Sequence, residues 1–264
     1  MQAAVSSAFL FPKVTEEALY DLCLTGVHNV EIFLNAPSEA EPVFAHDLRR
    51  ICDRFGATCT AVHPWTAPDE SFMLFSTYKR RADDFIEQAK RIFETMQTLG
   101  AKYYILHGAL QGTCKNMQFY CERFHRLYMT GRTFGITVTQ ENVYRHESAN
   151  LKFLREFCRI LGDDAALTFD VKQAVRAGMN PTEAIEAIGK YVQHLHISDH
   201  GPLGDCLRIG NGRFQIVPFL ALLQKKGFDG TVTLELYRDA FEHAQELCED
   251  WQRLDRLIAR AQTL

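Results

Sequence analysis

Apolar and polar positions along this chain follow two alternating periods. Short runs rich in Val, Ile, Thr and aromatic residues fall near 5–11, 28–34, 57–63, 102–107, 135–141, 166–170, 192–197 and 230–235. Their continuous apolarity or two-residue alternation predicts strands. Apolar positions recur every three to four residues near 15–25, 42–55, 76–99, 117–133, 148–161, 181–189, 214–226 and 239–261, which predicts helices. Strand and helix therefore alternate eight times. Parallel strands need long crossovers and helices supply them, so the pattern predicts an α/β fold with a parallel sheet. Eight such units in 264 residues fit a single (β/α)8 barrel over 1–264 better than an open doubly wound sheet.

Local punctuation agrees. Gly26, Gly56, Gly100, Gly162 and Gly227 each follow a helical segment and precede a strand, where a left-handed glycine is expected to end the helix. Asn180-Pro181 and Val217-Pro218 place proline in the first turn of two helices. No linker, low-complexity tract or composition shift divides the chain, so one domain is expected. The segment 64–75 is long and aromatic for a connection of this kind.

The polar residues that close the strands carry the chemistry. Glu141, Asp170, His196 and Glu235 lie at or just past the ends of the four last strands. In a parallel barrel those ends meet at one mouth. Three carboxylates and one imidazole there form a hard, oxygen-rich set that suits one divalent ion, Mn²⁺, Co²⁺, Mg²⁺ or Zn²⁺, without a thiolate preference for zinc. Glu31, His63 and His107 close the second, third and fourth strands in the same way. A lone strand-end carboxylate is ordinarily solvated. Seven polar ends on strands otherwise filled with apolar side chains point to a shared site. His63 and His107 are read as ligands of a second ion, as substrate contacts, or as supports of the rim. Glu31 orients a histidine or binds a hydroxyl. Lys172 and Arg208 are candidates to pair with a substrate phosphate or carboxylate, or to form rim salt bridges. His200 is a further substrate candidate. Trp65 with Phe72–Phe75 is read as an apolar lid, as core, or as a dimer contact, so a homo-oligomer is left open.

Charge and cysteine usage narrow the class only a little. Lys and Arg number 29 against 33 Asp and Glu, a net charge of -4. This argues against a nucleic-acid surface, which needs clustered cations. The run Lys79-Arg80-Arg81 reads as a solvated helix face. Eight cysteines are scattered without a CxxC pair, as in a cytoplasmic protein. The N-terminal stretch lacks the basic start of a signal peptide and reads as a first strand. No run reaches the roughly 18 apolar residues of a membrane span.

Several segments together resemble the xylose isomerase-like TIM-barrel superfamily, which holds sugar isomerases, sugar 3-epimerases, sugar-phosphate isomerases and endonuclease IV. They are Leu106-His107-Gly108, Gln140-Glu141-Asn142, Phe169-Asp170-Val171-Lys172-Gln173-Ala174 with Ala177-Gly178, His194-Leu195-His196-Ile197-Ser198-Asp199, Ile209-Gly210-Asn211-Gly212, and Gly227-Phe228-Asp229-Gly230 leading to Leu234-Glu235. The resemblance implies that Glu141, Asp170, His196 and Glu235 bind the metal. It implies that Glu141 and Glu235 also act as acid and base on opposite faces of a carbohydrate, next to its carbonyl. Proton transfer and a hydride shift both stay open. In the endonuclease IV branch, histidines comparable to His63 and His107 bind a second ion with the shared glutamate. The chain departs from that branch in two places. Gln173 stands where many members have histidine, and the loop from His200 to Arg208 lacks an Asp-x-His pattern. These departures leave a three-metal phosphodiesterase site incomplete and disfavour action on abasic DNA, which stays, with a non-catalytic polyol-binding barrel, as an alternative to a sugar or sugar-phosphate isomerase/epimerase.

Overall fold

The structure is a computed structural model that describes residues 1–264. Eight parallel strands close into a barrel: β1 (Gln2–Ser6), β2 (Asn29–Phe33), β3 (Thr58–His63), β4 (Tyr103–Leu106), β5 (Thr137–Glu141), β6 (Leu167–Asp170), β7 (Val192–Ile197) and β10 (Thr231–Leu234). Each strand pairs with its sequence neighbours in the barrel, and β10 returns to β1 with Ala3 beside Val232 and Val5 beside Leu234. A two-stranded hairpin, β8 (Asp199–Gly201) with β9 (Gly204–Leu207), rises from the loop after β7.

The outer ring holds α1 (Thr15–Leu24), α2 (Pro42–Phe55), α4 (Lys79–Leu99), α5 (Met117–Thr133), α6 (Leu151–Leu161), α8 (Pro181–Ile188), α9 (Ile216–Lys225) and α10 (Gln245–Ala261). Shorter helices α3 (Ala67–Glu70) and α7 (Val171–Arg176) sit in loops at the mouth. On α4 the buried residues Phe85, Ile86, Ala89, Ile92, Phe93, Met96 and Leu99 recur every three to four positions, so one stripe faces the sheet. Gly56 and Gly100 end α2 and α4 in the left-handed conformation. The Asn180 side chain caps α8, with Pro181 in its first turn. One cluster of 67 buried apolar residues fills the space between strands and helices. All eight cysteines are free thiols and six of them are buried there. No helix is long and apolar enough to cross a membrane.

Element bounds differ from the sequence expectation at both ends. The first strand covers 2–6 instead of 5–11, because Ser7–Leu10 turns into a 3-10 helix capped by Ser6. Its apolarity serves packing: Phe9 is buried against Phe241, with ring centroids 6.0 Å apart. The last helix begins at Gln245 rather than 239, after a 3-10 turn at Arg238–Ala240. Helix α7 follows Asp170 without a loop, and Asp170 Oδ1 accepts the Gln173 N–H as its N-cap.

Candidate active site

The C-terminal strand ends surround a cavity of about 320 Å³ lined by Ala8, Phe11, Phe33, His63, His107, Glu141, Lys172, Gln173, Glu235, Leu236 and Tyr237. Asp170 and His196 lie beneath its floor, at 1 % and 0 % exposure. The barrel brings donor atoms of Glu141, Asp170, His196 and Glu235 within 4.8 Å of one another. His196 Nδ1 is 3.0 Å from Glu141 Oε1, 3.5 Å from Glu235 Oε2 and 3.8 Å from Asp170 Oδ2. Asp170 itself is held by its main chain: its N–H donates to Asn142 Oδ1 at 2.7 Å, and Asn142 Nδ2 donates to its carbonyl at 2.9 Å.

A second group of donors adjoins the first. His63 Nε2 and His107 Nε2 approach to 2.9 Å, and Glu141 Oε2 lies 3.1 Å from His107 Nε2 and 3.8 Å from His63 Nε2. Gly108 makes this placement possible. Its φ is +86°, and a Cβ there would meet the Tyr120 hydroxyl and Gln140 side chain. Its N–H donates to the buried carboxylate of Glu70 at 2.5 Å, which anchors the turn that presents His107.

Glu31 occupies a different layer. It lies in the middle of β2, fully buried inside the barrel and away from the cavity. Its Oε2 accepts from His194 Nε2 and His196 Nε2, each at 2.9 Å. A carboxylate on Nε2 orients the His196 ring and turns Nδ1 toward the three carboxylates above. Sequence reasoning passed over His194. The signal was present, because residues two apart on a strand share a face and His194-Leu195-His196 must send both imidazoles inward.

Three other expected contacts do not reach the cavity. Arg208 pairs with Glu246 and with the buried Asp250, donating from Nε to Asp250 Oδ2 at 2.7 Å, so its guanidinium is consumed at α10. His200 packs in a tilted arrangement against Phe214, with centroids 4.8 Å apart. Trp65 lines a separate cavity with Asp84, Glu87 and Arg91, between α4 and the loop at Pro37. Lys172 does reach the mouth, but its ammonium is 2.6 Å from Glu235 Oε2 and 3.3 Å from Asp170 Oδ2. Sequence reasoning also missed Phe11, Phe33 and Leu236 as cavity walls, since apolar residues near strand ends read as core.

Burial and charge drive the carboxylates apart. Burial, with repulsion from Glu235 and Glu141 added, outweighs Lys172 and pushes Asp170 up to about 7. At Glu235 burial is overcome by Lys172 and His196, which bring it down to about 2. Burial opposes ionisation of Glu141 too, yet His107, His196 and His63 hold it well below the usual carboxylate range. Burial disfavours the charged His196 ring, but Glu31, Glu235 and Glu141 raise its pKa well above the ordinary value.

Residues 22–257 match the family described as xylose isomerase-like TIM barrel. The chain belongs to this family. Among curated proteins, the uncharacterised protein MJ1311 of Methanocaldococcus jannaschii is 31% identical over 104 residues, 37% of this chain and 35% of that protein. The match thus spans about a third of that relative's length. Several solved structures superpose along nearly the whole chain. An IolI protein described with a bound zinc atom has a TM-score of 0.79 at 17% identity, covering 99% of each chain. A D-allulose 3-epimerase from Methylomonas has a TM-score of 0.78 at 14% identity, covering 98% of each. A D-tagatose 3-epimerase-like protein has a TM-score of 0.75 at 19% identity, covering 97% of this chain and 98% of that one.

Proposed function

We propose that this chain is a divalent-metal-dependent isomerase or epimerase that moves a proton on and off the carbon next to a sugar carbonyl. One observation carries the reading. Glu141 and Glu235 both face the mouth cavity and, with Asp170 and His196, form a single four-donor cluster. The donor set fits a cation. Glu141 Oε2 and Asp170 Oδ2 are buried acceptors that meet cationic groups of His107 and Lys172 but no aligned hydrogen bond, whereas buried polar atoms otherwise almost always have one. Glu31 behind His196 matches the carboxylate–histidine pairs that orient metal ligands. Glu141, Asp170, His196 and Glu235 would hold the ion, which when bound supplies a Lewis acid for the substrate carbonyl and its neighbouring hydroxyl.

The chain's own residues do the rest. A cavity of about 320 Å³ is at the small end of ligand sites, roughly 300–1,000 Å³, and suits a single sugar. Phe11, Phe33, Leu236 and Tyr237 offer apolar walls to the C–H faces of the ring. Glu141 on β5 and Glu235 after β10 are separated around the barrel by β6 and β7, so they approach a bound molecule from different sides. Both are ionised at neutral pH, the state a proton acceptor needs. One takes the proton from the carbon beside the carbonyl. A solvent proton passed through the other glutamate to the opposite face of that carbon yields an epimer, and the abstracted proton returned by the same glutamate to the neighbouring carbon yields an isomer.

The test is turnover of a ketose panel in D2O with Mn²⁺, Co²⁺ or Mg²⁺, repeated for Glu141→Gln and Glu235→Gln. Solvent deuterium in the product, lost in both variants, is the expected result. Unchanged turnover in both variants refutes the mechanism. The His63, His107 and Glu141 cluster favours a second reading, a multi-metal phosphodiesterase acting on abasic DNA. Native mass spectrometry separates the two, because one ion per chain removes the phosphodiesterase.

A further inference from the structure

Lys172 is the one lysine or arginine that pairs with the four-donor cluster, and its surroundings are unusual for a lysine. It is the second residue of α7, its side chain is 3 % exposed, and two of its neighbours are the carboxylates proposed as metal ligands. The Tyr237 ring covers the ammonium with its centroid 4.8 Å away. A buried ammonium left without partners is costly, so these two carboxylates are what allow the lysine to be there.

The oxygens it engages are the same ones turned toward the metal-facing nitrogen of His196. Glu235 Oε2 is 2.6 Å from Lys172 Nζ and 3.5 Å from His196 Nδ1. Asp170 Oδ2 is 3.3 Å from Lys172 Nζ and 3.8 Å from His196 Nδ1. The ammonium makes no ion pair with Glu141, which is engaged by His196, His107 and His63 instead. The cluster is thus split: two of its carboxylates are shared with a tethered cation and one is not. A divalent ion drawn to Glu235 Oε2 and Asp170 Oδ2 meets a positive charge already in contact with both. Like charges repel strongly at that range in a site shielded from water.

We infer that Lys172 is a built-in counter-cation that competes with the divalent ion for Glu235 and Asp170, and so weakens metal binding by this chain. The inference rests on the metal reading above. Lys172 is accordingly a positioning residue: it holds Glu235 against the cavity wall and leaves Glu141 and His196 as the stronger anchors of the ion. It is not a free cation waiting for a substrate phosphate.

Isothermal titration of Mn²⁺ into chelator-stripped full-length protein tests this in the wild type and in Lys172→Met, Lys172→Gln and Lys172→Arg. Both neutral variants are expected to bind Mn²⁺ roughly tenfold tighter or more. Lys172→Arg, which keeps the charge, is expected to stay near the wild type. Stripped Lys172→Met should also melt below the stripped wild type and gain more from Mn²⁺ in a thermal-shift assay. A merely structural lysine would lower the melting temperature without tightening Mn²⁺ binding. If Lys172→Met does not fold, Lys172→Gln decides. Equal or weaker Mn²⁺ binding by the folded neutral variants overturns the inference while leaving the metal site standing. No Mn²⁺ binding by any variant, wild type included, overturns the metal site and the inference with it.

Discussion

Replacing Glu31 by Gln probes the link between the barrel interior and the mouth. One oxygen of Glu31 serves two imidazoles, His194 and His196, both through Nε2 at 2.9 Å. All three residues are at 0 % exposure, so water cannot substitute. Hydrogen bonds to charged groups contribute about 1.5–3 kcal/mol each, and removing one partner of a buried pair costs about 3–5 kcal/mol. For a domain of this size each kcal/mol moves the melting temperature by about 2–4 °C, so a fall on the order of 10 °C is expected. The amide can accept from one imidazole but presents N–H groups to the other. If His196 then keeps its proton on Nδ1, where it donates to Glu141, no lone pair is left there for the ion. Loss of such an outer partner typically lowers metal affinity by about 10–100-fold. Although burial opposes its ionisation, His196 and His194 hold Glu31 well below the usual carboxylate range. A depressed folded pKa stabilises above the unfolded value of about 4.3 and is lost as pH falls through the folded value. The stability gap between wild type and Glu31→Gln should therefore be full above about pH 5 and shrink on acidification. Thermal melts across pH, with Mn²⁺ titration of stripped protein, measure both effects. Unchanged melting temperature and Mn²⁺ affinity in Glu31→Gln would refute the reasoning.

Other outcomes follow from the same geometry. Asp170, raised to about 7, and His196, held well above the ordinary imidazole value, must both lose a proton to accept a cation, so Mn²⁺ affinity of stripped protein should climb with pH through about 7 and go on rising above it. A flat profile from pH 5.5 to 8.5 would count against Asp170 as a ligand. Arg208→Met leaves the buried Asp250 without its partner and should destabilise by about 3–5 kcal/mol in denaturant melts, with no change in KM for a sugar substrate. A raised KM with unchanged stability would return Arg208 to the binding site. Phe157→Ala empties a fully buried aromatic position on α6 and should cost about 3–5 kcal/mol, read from urea unfolding.

Much of this structure was legible along the chain. Glu141, Asp170 and His196 close strands whose ends a parallel barrel must gather, and the structure places their donor atoms together with Glu235. Lys172 was legible as a mouth residue but not in its contacts, because an i+2 spacing from Asp170 does not reveal that Glu235 arrives from 63 residues away. Arg208 misled for the same reason: its partners Glu246 and Asp250 lie on α10, some forty residues on. Glu31 was grouped with the strand ends although it falls in the middle of the 28–34 run, and β2 (Asn29–Phe33) keeps it there, two residues short of the mouth.

Periodicity is a local property, so the eight βα units, the helix ends at Gly56 and Gly100, and the row of polar strand ends belong to the sequence alone. Depth and pairing are not local. Which carboxylate lies beneath the floor, which faces the cavity, and which is shared with an ammonium depend on barrel closure and strand register. These bring Glu31, His196 and Glu235 into a single network across 204 residues of chain, the separation from position 31 to position 235. Only the closed barrel fixes those distances, and with them the charge that each group carries.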